Sequence, residues 1–358
     1  PMARPLPHAD SQSIQWLRLP LMVAVVWIHM GNDRIGLPDP ADGLALWEHW
    51  LRKAVSEGLA ATAVPLFFLV SGYLFFWGEP LTSVSYGSKL RRRIQTLLIP
   101  FLIWNGGLAL AIALAAQIPS LHGLVEKPAY AFVHGGALDW AKAIFGFPHA
   151  PVVYPFWFLR DLMLVALLAP LWQVLARRAA WLGLGILGVP WFLHAWPLPI
   201  PGGVACLFFF VGGCVALRGG SLFAWDRWTP LLGTVYLVLL VLETTGLTGR
   251  AYPSVHQVGI GLGVLTVLGV SRWPQGHARV AVRLERWAGS AFFLFAIHEP
   301  LLSLLRQAGD KAWGPLAPLA DFAWFLVLPT GVVCFALGLH GLLVRVAPRV
   351  ARIVTGDR

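Results

Sequence analysis

Arg18 and His29 stand eleven residues apart within an otherwise apolar stretch, 14–30, near the start of a 358-residue chain. At roughly 100° of turn per residue, eleven steps return close to the starting face of a helix, about 16 Å further along its axis. An ionisable group inside a membrane helix costs roughly 2.5–3.5 kcal/mol to insert and by default marks a pathway or a reaction centre. Taken singly, Arg18 also suits a helix end whose arginine snorkels into headgroups, and His29 an interfacial position. Snorkelling gives no account of their shared face. Further along, the run Lys89-Leu-Arg-Arg-Arg93 holds Arg91, Arg92 and Arg93. It reads either as the positive flank of a span or as an anion clamp whose guanidinium forks grip phosphate. Ser71-Gly72-Tyr73 reads as a small-residue notch for close helix packing or as part of a site. Arg160-Asp161 places adjacent ions at the outer end of a span, where they also suit pairing with each other or with lipid. His298-Glu299 falls near mid-bilayer, where a carboxylate needs a partner or a water-filled cavity. His29, His298 and Glu299 are therefore expected to converge at similar depth.

The elements that would position these groups follow from composition. The chain is 57% hydrophobic and only 12% charged, with a mean hydropathy of +0.68, whereas soluble domains carry about 25% charged residues. Apolar runs of roughly 17–25 residues recur along it. The expected architecture is an all-α integral membrane protein of about ten transmembrane helices, over 14–30, 58–77, 96–116, 155–175, 180–196, 203–217, 230–248, 254–270, 288–305 and 322–344. All belong to a single domain over 1–358 with a helical core of about 12–346, and 129–147 is expected at the membrane interface. Arg4, Arg18, Lys89 to Arg93, Arg177, Arg178, Arg218, Arg227 and the stretches 272–286 and 345–358 gather basic residues on one side of that topology. With an even number of spans, the positive-inside rule places both termini in the cytoplasm. The net charge of +10 is then a topology signal with membrane lipids as its partner, and no nucleic-acid module is seen. The stretch 14–30 lacks a small-residue cleavage pattern and runs on into Asn32 and Asp33, so it reads as a span rather than a cleaved leader. Cys206, Cys214 and Cys334 read as small core residues, and no metal site is expected.

Several of these pieces together resemble a known family. They are Arg18 and His29 with ten residues between them; Pro65-Leu-Phe-Phe-Leu-Val-Ser-Gly-Tyr73; the basic run leading to Leu97-Leu-Ile-Pro100 with Trp104; Trp157-Phe-Leu-Arg-Asp161; and Ala296-Ile-His-Glu-Pro300. In this order, from about Gln12 to His340, they resemble the signature of the membrane-bound acyltransferase family three. The resemblance implies a multi-pass protein of the bacterial inner membrane that moves an acyl group, often acetyl from acetyl-CoA, to a hydroxyl of a polysaccharide or glycolipid. Acetyl-CoA or another acyl-CoA would be the donor, entering from the cytoplasm, with no bound cofactor. The resemblance makes His29 a general base or a transient acyl carrier, oriented by Glu299, His298 or Asp161. It assigns the donor to Arg18, Arg91, Arg92 and Arg93, with Ser71, Gly72 and Tyr73. The family's basic motif often has two arginines three residues apart. Here Arg93 is followed by Ile94, Gln95 and Thr96, so Arg91 and Arg92 would complete the clamp. Composition alone also admits a transporter or flippase for a glycan or lipid. That reading requires an inverted repeat between the halves, and none is seen. No feature specifies an oligomeric state.

Overall fold

The computed structural model describes residues 5–31, 43–78, 81–121, 128–248 and 252–356. Arg4, Asn32, Asp33 and Arg358 lie outside the described residues, within which all regular structure is helical. The first half holds α1 (His8–Ile28), α2 (Gly43–Lys53), α3 (Ala63–Phe76), α4 (Ser83–Arg93), α5 (Ile99–Ala115), α6 (Ala137–Phe145), α7 (Trp157–Leu167) and α8 (Ala169–Arg178). The second holds α9 (Ala180–Phe192), α10 (Gly203–Leu217), α11 (Thr229–Thr244), α12 (Tyr252–Val270), α13 (Ala278–Ala288), α14 (Ala291–Trp313), α15 (Pro318–Val346) and α16 (Pro348–Thr355). The wider-wound turns Ala54–Leu59 and Ile94–Leu98 join α2 to α3 and α4 to α5.

The expected count of about ten transmembrane helices is wrong. Among the described residues, four helical stretches are long and apolar enough to cross a membrane: Gly43–Phe76, Ser83–Ala115, Pro253–Gly276 and Pro318–Val346. Two bent pairs raise the count to at most six. They are Tyr154–Leu167 with Ala169–Arg178, bent by 61°, and Ala278–Ala288 with Ala291–Trp313, bent by 65°. The error came from equating an apolar run with a continuous helix. Helices α9, α10 and α11 have 13, 15 and 16 residues. At 1.5 Å per residue they reach only about 20–24 Å, short of a hydrocarbon core of about 30 Å. Helix α1 has 21 residues but opens His8-Ala-Asp-Ser-Gln-Ser and carries Arg18, so only part of its length is apolar. The placement of both termini in the cytoplasm rested on an even count of ten and no longer follows.

The core is organised around α3 and α10, both apolar on every side, as a helix surrounded by others must be. Gly72 of α3 lies against the Phe209 carbonyl, and Gly212 of α10 lies against the Leu69 carbonyl. A Cβ at either position would collide with backbone. Tyr73 adds a hydrogen bond from Oη to the Gly220 carbonyl at 3.2 Å. Large apolar side chains such as Leu110, Leu114, Trp181, Ile186, Val238 and Val327 are exposed on the outside, where lipid rather than water suits them. Cys206 and Cys214 are buried as expected, but Cys334 is exposed on α15. Phe335 beside it is exposed as well, whereas Val332 and Ala336 are buried, and composition does not distinguish the two faces.

Charged ties fix the periphery. Asp10 of α1 accepts from Arg272 and from Ser221, each at 2.7 Å. Arg52 of α2 pairs with Glu48 at 2.7 Å and with Asp321 of α15, its guanidinium 4.9 Å from the Phe325 ring centroid. The glycine crossing makes a sharp prediction. Gly72→Ala is expected to destabilise by about 1–3 kcal/mol or more through overpacking against backbone. Gly107→Ala, where no atom lies within 4 Å of the added Cβ, is expected to be neutral or to stabilise by ~0.5–1 kcal/mol. Thermal unfolding of the two variants in detergent reads both signs.

Candidate functional site

Helical spacing explains which cations meet. Lys89, Arg92 and Arg93 stand at i, i+3 and i+4 on α4 and so share a face. With Arg18 of α1 and Ser71 of α3 they line a cavity of about 650 Å³. Phe75 supports two of them, its ring centroid 5.3 Å from Lys89 Nζ and 5.5 Å from Arg93 Cζ. Lys89 Nζ also donates to the Phe75 carbonyl at 2.5 Å. These contacts offset part of the cost of holding cations beside apolar helices. Thr96, standing where the second arginine of the resembled motif is absent, lines the same cavity. So does Gly356, whose φ of +70° lets the chain end close onto the Thr96 carbonyl. Arg91 points elsewhere on α4 and is not part of the lining. Gly72 and Tyr73 serve the contact with α10. The expected donor residues thus divide, with Arg18, Arg92, Arg93 and Ser71 gathered and the other three apart.

Below this mouth the cavity becomes apolar, lined by Leu21, Met22, Phe67, Phe158, Phe292 and Phe295. Phe295 stacks on Phe156 at 5.2 Å and 6° and meets Phe158 edge-on at 6.0 Å. It closes the base as a braced wall. One turn further along α14, the His298 ring lies 6.0 Å from Phe295 and 5.2 Å from His29.

His29 directly follows α1 with φ −77° and ψ −3°, so the helical register from Arg18 carries through to it. It lies beyond the wall, with the Tyr154 ring edge-on at 5.6 Å. His298 is fully buried. Its Nδ1 lies 2.8 Å from the Phe295 carbonyl and 3.2 Å from that of Leu294, so Nδ1 carries the proton as donor. Its Nε2 is left as an acceptor with no hydrogen-bond partner among the described residues. Arg306 of α14 donates from Nη1 to the His29 carbonyl at 3.3 Å. Glu299 accepts from the Ser303 hydroxyl through both carboxylate oxygens, at 3.0 and 2.8 Å. Tyr130 feels that carboxylate: burial first, and then the Glu299 charge, push its phenol above the ordinary range.

Asp161 is held elsewhere. Its Oδ1 accepts from Arg160 Nε at 3.1 Å and its Oδ2 from the Gly202 amide at 2.8 Å. Arg160 in turn donates to the carbonyls of Gly146 and His149. The pair joins α7 to the loop after α6 and to the start of α10. The two expected histidines therefore meet, Glu299 directly follows His298 in sequence, and Asp161 serves the loops. Among the described residues no group of three or more His, Cys, Asp or Glu side chains could hold a metal ion. Sequence reasoning placed Lys89 in the basic run without naming it a donor residue, and it missed Tyr154, Phe295 and Arg306. The i, i+3, i+4 rule would have selected Lys89 over Arg91; Tyr154 and Arg306 carry no local signal.

Residues 11–339 match the acyltransferase domain of acyltransferase family 3. The chain is 29% identical over 360 residues to the succinoglycan biosynthesis protein ExoH of Rhizobium meliloti (strain 1021), covering 97% of this chain and 92% of that protein. No solved structure matches it. The ion pair gives a test of architecture against chemistry. Asp161→Asn is expected to lower the thermal midpoint strongly, because breaking a buried pair costs about 3–5 kcal/mol. Unchanged stability with lost activity would return Asp161 to a chemical role.

Proposed function

The chain belongs to acyltransferase family 3, and on that premise we propose that it transfers acetyl from acetyl-CoA to a hydroxyl of a bacterial polysaccharide or glycolipid. It is an acyl-CoA-dependent enzyme and a multi-pass protein of the bacterial inner membrane. We read 1–358 as one acyltransferase domain. The similarity to a succinoglycan biosynthesis protein favours a polysaccharide acceptor.

The observation that carries this reading is the cavity with Arg18, Lys89, Arg92 and Arg93 at its mouth and phenylalanines at its base. Coenzyme A presents a pyrophosphate and a further phosphate, which guanidinium forks bind well. Its thioester arm suits the apolar depth. Because acyl-CoA is cytosolic, this mouth faces the cytoplasm. Displacement of Phe295 would bring the thioester to His298 and His29, and the wall otherwise keeps water from it.

In the direct route His29 takes the proton of the acceptor hydroxyl while its oxygen attacks the thioester carbonyl. The carbon–sulfur bond then breaks and the departing thiolate recovers the proton from His29. General base catalysis of this kind contributes typically 10²–10⁴-fold. In the alternative route the imidazole carries the acyl group between two transfers. In both, His298 acts as a positioning residue, its Nε2 able to accept from the His29 ring.

Thermal unfolding with acetyl-CoA tests the assignment. A ligand at 100 times its Kd stabilises by roughly 2.7 kcal/mol. The expected outcome is stabilisation in the wild type, its loss in Arg93→Ala, and its retention in His29→Ala together with abolished transfer. Full activity of folded His29→Ala overturns the catalytic role of that residue.

A further inference from the structure

Near His29 and along α14 stand several groups that do not line the donor cavity. Tyr154, 52% exposed, touches His29 through its ring edge. Arg306 reaches the backbone of the same histidine. Glu299, Ser303 and Arg306 stand at i, i+4 and i+7 on α14 and so share one face over two turns, about 10 Å. Glu299 and Ser303 are already hydrogen-bonded along that face, and the Glu299 charge reaches Tyr130. None of these residues lines the donor cavity.

An aromatic belt position would account for an exposed tyrosine, but not for its contact with the imidazole. The combination has a chemical meaning. An aromatic face accepts the apolar C–H face of a ring, a carboxylate takes hydroxyl protons, and a guanidinium donates to hydroxyl oxygens. A simple lipid alcohol needs no such pair of opposite charges, and a phosphate would meet the Glu299 carboxylate.

We propose that Tyr154, Glu299 and Arg306 form a saccharide-binding subsite, with one sugar ring on Tyr154 and its hydroxyls held by Glu299 and Arg306, so that a free hydroxyl is presented to His29. This rests on the acyl-transfer reading above for the role of His29, but the subsite binds sugar with or without donor. It also separates the two substrates: the donor arrives at the Arg18 end of α1 and the acceptor at the His29 end.

The test uses the full chain in lipid nanodiscs, with cellobiose and lactose as saccharide probes. Binding is followed by saturation-transfer NMR, and product by mass spectrometry of O-acetyl esters in the presence of acetyl-CoA. The expected result is a saccharide signal in the wild type, weakened about tenfold by Tyr154→Ala, as loss of an aromatic contact predicts. Tyr154→Trp should retain it, and Glu299→Gln and Arg306→Gln should each weaken it. In all four variants stabilisation by acetyl-CoA should persist, and in Tyr154→Ala, Glu299→Gln and Arg306→Gln the acceptor KM should rise more than kcat falls, while Tyr154→Trp keeps the wild-type KM. The subsite is overturned by any of three results: no saccharide signal from the wild type, a signal indifferent to Tyr154→Ala and Glu299→Gln, or a Tyr154→Ala effect confined to kcat. Saccharide binding without any acetyl-CoA stabilisation of the wild type would instead sink the donor reading and leave the subsite standing.

Discussion

The reciprocal backbone contact between α3 and α10 sets the geometry on which the rest depends. Gly72 and Gly212 bring two main chains together so closely that neither position has room for a Cβ. In lipid, helices gain little from the hydrophobic effect and associate through this kind of close packing. Fixing α3 fixes Ser71 at the cavity wall and Phe75 beneath Lys89 and Arg93. The same helix presents Phe67 and Phe68 to Phe158, at 5.8 and 4.7 Å, and Phe158 meets Phe295. A continuous packed path therefore runs from the glycine crossing to the wall in front of His298.

That path explains why charge and chemistry occupy opposite ends of α1. Cations beside apolar helices need compensation, and here it comes from Phe75 and a backbone carbonyl at one end of the cavity. His298 lies behind a layer of phenylalanines and is fully buried, whereas His29 is half-buried beside the exposed Tyr154. The separation of about 16 Å along α1 suits the proposed division between a phosphate-binding mouth and a reacting end.

Much of the site was legible in the sequence because helical periodicity preserves it. The eleven-residue interval placed Arg18 and His29 on one face, and the helix does run through to His29. The meeting of His29 with His298 followed from matching depths in separate apolar runs. Other features were not legible. The number of spans failed because composition reports apolar length, and neither the shortness of α9, α10 and α11 nor the bends near residues 168 and 289. Asp161 was a candidate for orienting His29 only through the family resemblance, and its adjacency to Arg160 already suited an ion pair. Its real partners, the Gly202 amide and a neighbouring arginine that anchors two loop carbonyls, are set by tertiary structure. Tyr154 and Arg306 are ordinary residues at the ends of apolar segments, and only the fold brings them to His29.

One helix links the two ends. The bend before α14 is held by Ser290, whose hydroxyl lies 3.0 Å from His340 Nδ1, and by Phe293, which packs on His340 and Trp104. Trp104 in turn donates to the Val354 carbonyl of α16. From that anchored start α14 carries Phe292 and Phe295 at the cavity, then His298, and then Glu299, Ser303 and Arg306 toward the far end. All of these stand on one helix, which Pro300 interrupts between His298 and Ser303 by removing one backbone hydrogen bond. The proposed wall, positioning imidazole and acceptor subsite are therefore carried by a single element, and that element would both close off the first substrate and place the second.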